Sequence, residues 1–383
     1  MTASTTGTDD TERHATNLEL FLDLVFVFAV TQIASLVGHD LTTSGAAKGL
    51  LIAWLVWWQW SQFTWAGSAM DLQQRTVTRV LVLCTIPATL TMAVAIPEAF
   101  HDSGIWFGVA YMVVQLLVLA MQGTEAWRDP ATRQAFIDFA TLASIAPLFV
   151  LAGGVAHGDI RVTLWIVAAL LNVVGAIRGA SGEWVINPVH FAERHTLFVI
   201  ISLGEAVVAI GATASEVGLS SRILVGLVTA TSVACVLWWV YFAFIPTVAE
   251  QTLENAAQRG RAARDLFTFG HFPIVTGILG YAVVVKRMVA DPAEPLPLAD
   301  RWLLIIAMTL LIGGCLHIQW RVIHRLAPER FVAIAVIAVW LLVGSEVAGS
   351  AAIGGIAIIL AVMQSITGRR YRRRIQAETV ADR

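Results

Sequence analysis

The sequence predicts an all-α integral membrane protein of about twelve transmembrane helices, arranged as a parallel internal repeat of six plus six. Three observations carry this reading. The chain is 57% hydrophobic and only 14% charged, with a mean hydropathy of +0.73, which is more apolar than a soluble fold can bury. Its apolar residues fall in runs of roughly 20, the length that crosses a hydrocarbon core of about 30 Å. Its basic residues sort by side once those runs are threaded back and forth.

The runs lie near 18–37, 47–66, 79–97, 104–122, 134–152, 161–178, 192–213, 223–245, 265–285, 302–320, 331–344 and 348–367. The eleventh is short and Gly344-Ser345-Glu346 is a weak break, so a single long helix there would give eleven spans instead. Charge decides between the counts, because Lys and Arg beside a span are retained on the cytoplasmic side. Twelve spans with an inner N-terminus put nineteen basic residues inside, and only Lys48, Arg161, Arg222, Lys286, Arg287 and Arg301 outside, which accounts for all 25. Eleven spans would carry the Arg369–Arg374 cluster outside. Both termini are therefore expected in the cytoplasm, with the chain in a cytoplasmic membrane.

Residues 1–17 are polar and acidic and lack the pattern of a cleaved signal peptide, so they read as a disordered cytoplasmic extension. Residues 368–383 read as a basic cytoplasmic tail that rests on anionic membrane lipid and not on nucleic acid. Cys84, Cys235 and Cys315 all fall inside expected spans, with no paired framework, so no disulfide is expected. Neither a metal site nor a cofactor site is expected, since no nucleotide-binding, kinase or HExxH pattern occurs in a suitable context.

A shift of about 182 residues aligns the expected halves, 18–178 and 179–367. Leu20–Thr31 falls opposite Ser202–Thr213, so that Asp23 meets Glu205 and Thr31 meets Thr213. Trp57-Trp58-Gln59-Trp60 falls opposite Trp238-Trp239-Val240-Tyr241, and Pro87 opposite Pro273. An even number of spans per half makes the copies enter from the same side. The two first helices are then expected near the axis, where a pathway can form.

Charge within a span costs roughly 2.5–3.5 kcal/mol on insertion scales, so it usually faces the bundle interior and marks a pathway or a pair. Glu19 and Asp23, four residues apart, share one face of the first helix. Glu205 lies in a small-residue run with Gly204, Ala206, Ala209 and Gly211, which reads as a close helix contact. These three carboxylates are the expected substrate or ion pathway. His190-Phe191-Ala192-Glu193-Arg194-His195 is the densest polar cluster, and Glu193, Arg194 and His195 are expected to form a network at the inner mouth. Asp138 and His271 are secondary candidates. As a metal site the cluster is weakly specified, because His190 and His195 are five apart.

Glu19–Ala29, His190–His195 and Ile201–Ala206 together resemble the bacterial low temperature requirement protein A family, along most of the chain. The resemblance implies a multi-span membrane protein and brings a growth phenotype, not a biochemical activity. Its characteristic positions here are Glu19, Phe21, Asp23, Phe26, Glu193, Arg194, His195, Gly204 and Glu205. Phe21-Leu22-Asp23 and Leu203-Gly204-Glu205 are also similar in spacing to the Phe-Ser-Asp motif of a potassium-channel family, with Leu22 and Gly204 where that motif has serine. The leading functional expectation is a transporter or ion-conducting protein for a small solute or ion. The alternatives are an intramembrane lipid-modifying enzyme, which would make the carboxylates and His195 acid–base groups, and a non-catalytic membrane factor in cold adaptation.

Overall fold

The computed structural model describes residues 13–70, 72, 75–127, 130–179 and 185–381. They form helices α1 (Asn17–His39), α2 (Thr43–Ala69), α3 (Thr76–Ala95), α4 (Gly104–Ala126), α5 (Pro130–Ala143), α6 (Ile145–Val155) and α7 (Gly158–Gly179). There follow α8 (Pro188–Val217), α9 (Ser221–Phe242), α10 (Ile245–Glu254), α11 (Arg259–Ala262), a π-helical turn (Ala263–Thr268), α12 (Phe269–Ala290), α13 (Leu298–Ile323), α14 (Pro328–Val343) and α15 (Gly349–Ala381). Among the described residues, nine helices are long and apolar enough to cross a membrane: α1, α3, α4, α7, α8, α9, the α11–α12 stretch, α13 and α15.

The other helical segments fall short for physical reasons. α2 is long enough, but its buried face includes Gln59, Ser61, Gln62, Thr64 and Ser68, because it runs between other helices and faces protein on most sides. The expected span 134–152 is broken in two. Pro147 has no N–H for the carbonyl of Ala143, and the helix stops there, with α6 beginning at Ile145. α14 is short, and residues 344–348 part it from α15, where Gly349 N–H donates to the Glu294 carbonyl at 2.8 Å. α15 continues as helix to Ala381, into the residues expected as a tail, of which 382–383 lie outside the described ones. Of the expected disordered extension, residues 1–12 lie outside the described ones.

Helix ends collect on two faces. On the near face, where α1 begins, Asn187 N–H donates to Ser68 Oγ at 2.9 Å, Arg264 reaches the Ile177 carbonyl, and Arg370 pairs with Glu329 at 2.6 Å. On the far face, Arg161 is 2% exposed and donates to the carbonyls of Ala99, His101, Gly153 and Ala156, tying the ends of α3 and α6 to the start of α7. The turn from α1 to α2 is also there. Asp40 accepts from the hydroxyl and N–H of Thr42, and these bonds hold its carboxyl below the usual carboxylate range. The outer surface exposes Leu24, Val94, Ile160, Val208, Val339 and Ile358, as lipid contact requires and water would not favour.

Packing follows the same order in both parts of the chain. α1 packs on α2 and α3, α3 on α4, α4 on α6, α6 on α7, and α7 returns to α2. α8 packs on α9 and α12, α12 on α13, α13 on α14, α14 on α15, and α15 returns to α9. The tightest seam is between α12 and α13. A Cβ at Gly277 would lie 2.5 Å from the Ala307 carbonyl oxygen and 2.8 Å from Leu311 N. Gly277→Ala is expected to cost about 2–3 kcal/mol through this overpacking. Gly313→Ala, where a Cβ meets nothing within 4 Å, serves as the control. Thermal unfolding in detergent checks the pair, and equal melting points would refute the seam.

Candidate functional site

The site is built where α1 and α8 run parallel from the near face. Thr16 caps α1, and Glu19 reaches back to accept from Thr16 N–H and Oγ–H, both at 2.9 Å, completing a capping box. Asn187 caps α8 by accepting from His190 N–H, with Pro188 opening the helix. Both caps fix the register of the two helices. The acids Glu19 and Asp23, four apart, then face the bases His190 and Arg194, also four apart.

Arg194 Nη2 lies 2.6 Å from Asp23 Oδ1 and Nη1 lies 2.9 Å from Glu19 Oε1. His190 Nε2 is 3.0 Å from Glu19 Oε1, and since an ionised carboxylate only accepts, this nitrogen carries the hydrogen. Trp60 Nε1–H donates to Asp23 Oδ1 at 2.8 Å. All five side chains are at most 1% exposed. A Cβ at Gly67 would strike Glu19 Oε1 at 2.3 Å, so only glycine lets α2 cross here. Asp23 Oδ2 and Arg194 Nε have no partner among the described residues, so the quartet has hydrogen-bonding capacity to spare.

A strap closes the near side of this quartet. Glu193 points away from Arg194 and accepts from Ala15 N–H at 2.8 Å and from His14 at 3.2 Å. Arg13 donates to the carbonyls of Gly67 and Ser68. Residues 13–16 are thus packed against α2 and α8. The expected inner-mouth network is therefore divided three ways, with Glu193 holding the strap, Arg194 in the quartet and His195 facing α2 and α12.

His195 sits among Trp57, Trp60, Phe191 and Phe267, and its ring centroid is 5.2 Å from that of His271. Its Nδ1 donates to the Phe191 carbonyl at 2.9 Å, which leaves Nε2 as an unpartnered acceptor. His271 Nδ1 donates to Leu266 O at 3.0 Å, an acceptor presented by the π-helical turn, and its Nε2 accepts from Tyr241 O–H at 2.7 Å. Trp57 Nε1–H donates to Thr268 O at 2.9 Å, tying α2 to the same turn. His271 is thus a satisfied packing histidine. The side chain of Asp138, on α5, lies outside the described ones.

Beyond the quartet, toward the far face, the interior turns aromatic. Phe198 packs on Trp57 and Trp60, at centroid distances of 5.6 and 4.3 Å, and Phe26 on Phe63 at 5.9 Å. Past this plug a groove of about 510 Å³ lies between α1, α8 and α12. Gln32, Ser35 and His39 line it from α1, Ser202, Glu205 and Glu216 from α8, and Lys286 and Arg287 from α12. Glu205 is half-buried there and forms no hydrogen bond or ion pair among the described residues.

Asp23 and Glu205 do not meet. Glu205 follows Arg194, which touches Asp23, by eleven residues of one helix, or about 16 Å along the membrane normal. Asp23 takes no part in lining the groove. Gly204 and Gly211 do not mark a close helix contact, since a Cβ at either would meet nothing within 4 Å. Sequence reasoning named Arg194 but missed its pairing, with His190, to the acids of α1, although the four-residue spacing of His190 and Arg194 is legible. It also missed the polar stripe Gln32, Ser35, His39, which recurs on one face of α1.

Apolar helices wrapped around a charged and aromatic interior define a polytopic helical membrane protein. The chain belongs to the bacterial low temperature requirement A protein family, whose sequence model matches residues 14–365. An uncharacterized protein of Rhizobium meliloti (strain 1021) is 34% identical over 300 residues, covering 75% of this chain and 72% of its own. No solved structure matches the chain.

Proposed function

We propose that this protein is a membrane transporter for a small polar solute or cation, with the groove as its binding vestibule and the quartet as its closed inner gate. The observation that carries the reading is a groove with Glu205, Glu216, Lys286 and Arg287 in its lining that reaches the far face and ends at an aromatic plug, with a fully buried ion-pair cluster and a strap behind it. An interior open at one end and sealed at the other by breakable ion pairs is what alternating access requires. Glu205 is the groove's one unpaired half-buried carboxylate among the described residues and is assigned to the solute or its coupling ion.

Twelve spans in two halves fit this reading. α2, the α5–α6 pair and α14 complete the count. The repeated packing order supports the six-plus-six arrangement, as does the position of Pro87 and Pro273 inside α3 and α12. Arg13, Arg264, Arg321 and Arg370 gather on the near face, which is assigned to the cytoplasm of a bacterial inner membrane.

Proteoliposome flux across a panel of cations and polar solutes tests the proposal. Glu205→Gln is expected to lower uptake of the transported species at least about a hundredfold while the melting point stays within a few degrees, because the group is unpaired in the fold. Absence of flux across the panel, or full flux in Glu205→Gln, would count against it.

A further inference from the structure

A second cavity, of about 120 Å³, lies on the near face, remote from the groove and the quartet. It is enclosed by the loop before α14, the first turn of α14, α13 and the later part of α15. Three arginines line it: Arg325, Arg330 and Arg370. Glu329 is the lining carboxylate, and it is already engaged by Arg370 Nη1 at 2.6 Å and Thr367 Oγ1 at 3.2 Å.

Arg330 sets this cavity apart. It is 1% exposed, its side-chain partner is the Cys315 thiol, its Nε and Nη1 make no hydrogen bond, and it forms no ion pair among the described residues. A buried guanidinium without a counter-charge is costly, and a cation that cannot deprotonate has no way to relieve that cost. The start of α14 adds a second demand for negative charge. Its N-cap is Ala327, which offers no side-chain acceptor; Pro328 has no N–H and Arg330 N–H already donates to the Ala327 carbonyl at 3.0 Å, so the Glu329 amide is left without a side-chain cap. Roughly 10–15 Å³ holds one water, so the space takes a tetrahedral oxyanion with several waters beside it.

We infer that this cavity binds a phosphate group, held between the Arg330 guanidinium and the Glu329 amide at the start of α14, with Arg325 and Arg370 at the rim. Forked guanidinium donors and a helix N-terminus are the combination that recognises phosphate oxygens. The group could be carried by an anionic lipid or by a soluble phosphate, because the cavity lies at a helix-end face where both are within reach.

Thermal unfolding of the delipidated full-length protein in neutral detergent tests this, with titration of phosphatidylglycerol, inorganic phosphate and, as control, diacylglycerol. Phosphatidylglycerol, inorganic phosphate or both should raise the melting point saturably, and diacylglycerol should not. A response to the lipid alone assigns the phosphate to a headgroup, and a response to both or to inorganic phosphate alone assigns it to phosphate as such. Arg330→Gln should raise the half-saturating concentration about tenfold or more, as loss of a charge-assisted bond does. Should that variant not fold, Arg325→Glu at the exposed rim carries the test, with a several-fold weakening. No shift from either phosphate source, or unchanged half-saturation in the variants, overturns the inference.

Discussion

Arg194→Met is expected to remove most of the folded protein. It leaves Glu19 and Asp23 buried at 1% and 0% exposure, with one cation fewer between them. Breaking a buried ion pair from one side costs about 3–5 kcal/mol, against a total stability of about 5–15 kcal/mol. The complementary variant separates fold from function. Glu19→Gln, Asp23→Asn and Arg194→Met together replace the whole charged set with groups of similar shape, which is often neutral for stability. The triple variant should regain the wild-type yield and melting point in detergent while failing to restore flux. A stable Arg194→Met single variant would show that the carboxylates find another partner, and a fully active triple variant would remove the quartet from the gate.

The aromatic plug predicts one-sided access. In a background without Cys84, Cys235 and Cys315, Ala209→Cys in the groove should react with a membrane-impermeant maleimide from the far face and stay silent from the near face. Ala192→Cys, at 1% exposure beside the quartet, should stay silent from both. The effect is large because a thiol reacts as exposed thiolate, and Phe198, Trp57 and Trp60 leave no wet route between the two positions. Inside-out and right-side-out vesicles give the readout, with the near face cytoplasmic as proposed. Labelling of Ala209→Cys from the near face alone would reverse the proposed gate.

Hydropathy made most of the bundle legible, since α1, α3, α4, α8, α13 and α15 all begin or end close to an expected run. It also found α2, whose expected run 47–66 lies within Thr43–Ala69, although Gln59 and Gln62, at 0% and 3% exposure, lower the hydropathy of a helix that faces protein on most sides. The break after Ala143 was readable from Pro147, yet Pro87 and Pro273 lie within unbroken helices, so proline alone does not decide. At the site, Glu19 and Asp23 were found by their spacing. Their true partners were not, because aligning Asp23 with Glu205 follows the proposed internal repeat, whereas contact follows depth in the bundle. The two criteria differ here by eleven residues.

The ion pair between Asp23 and Arg194 joins positions 171 residues apart. At roughly 5–20 residues per second, the ribosome delivers Arg194 about 10–35 s after Asp23. Through that interval α1 carries two carboxylates that the nascent chain cannot yet neutralise, and the first half must wait beside the translocon with its opening helix only partly committed to lipid. Biogenesis of this protein is thereby made dependent on α8, and a chain truncated before α8 is expected to be cleared by membrane proteolysis and not to persist as a stable fragment of α1–α7.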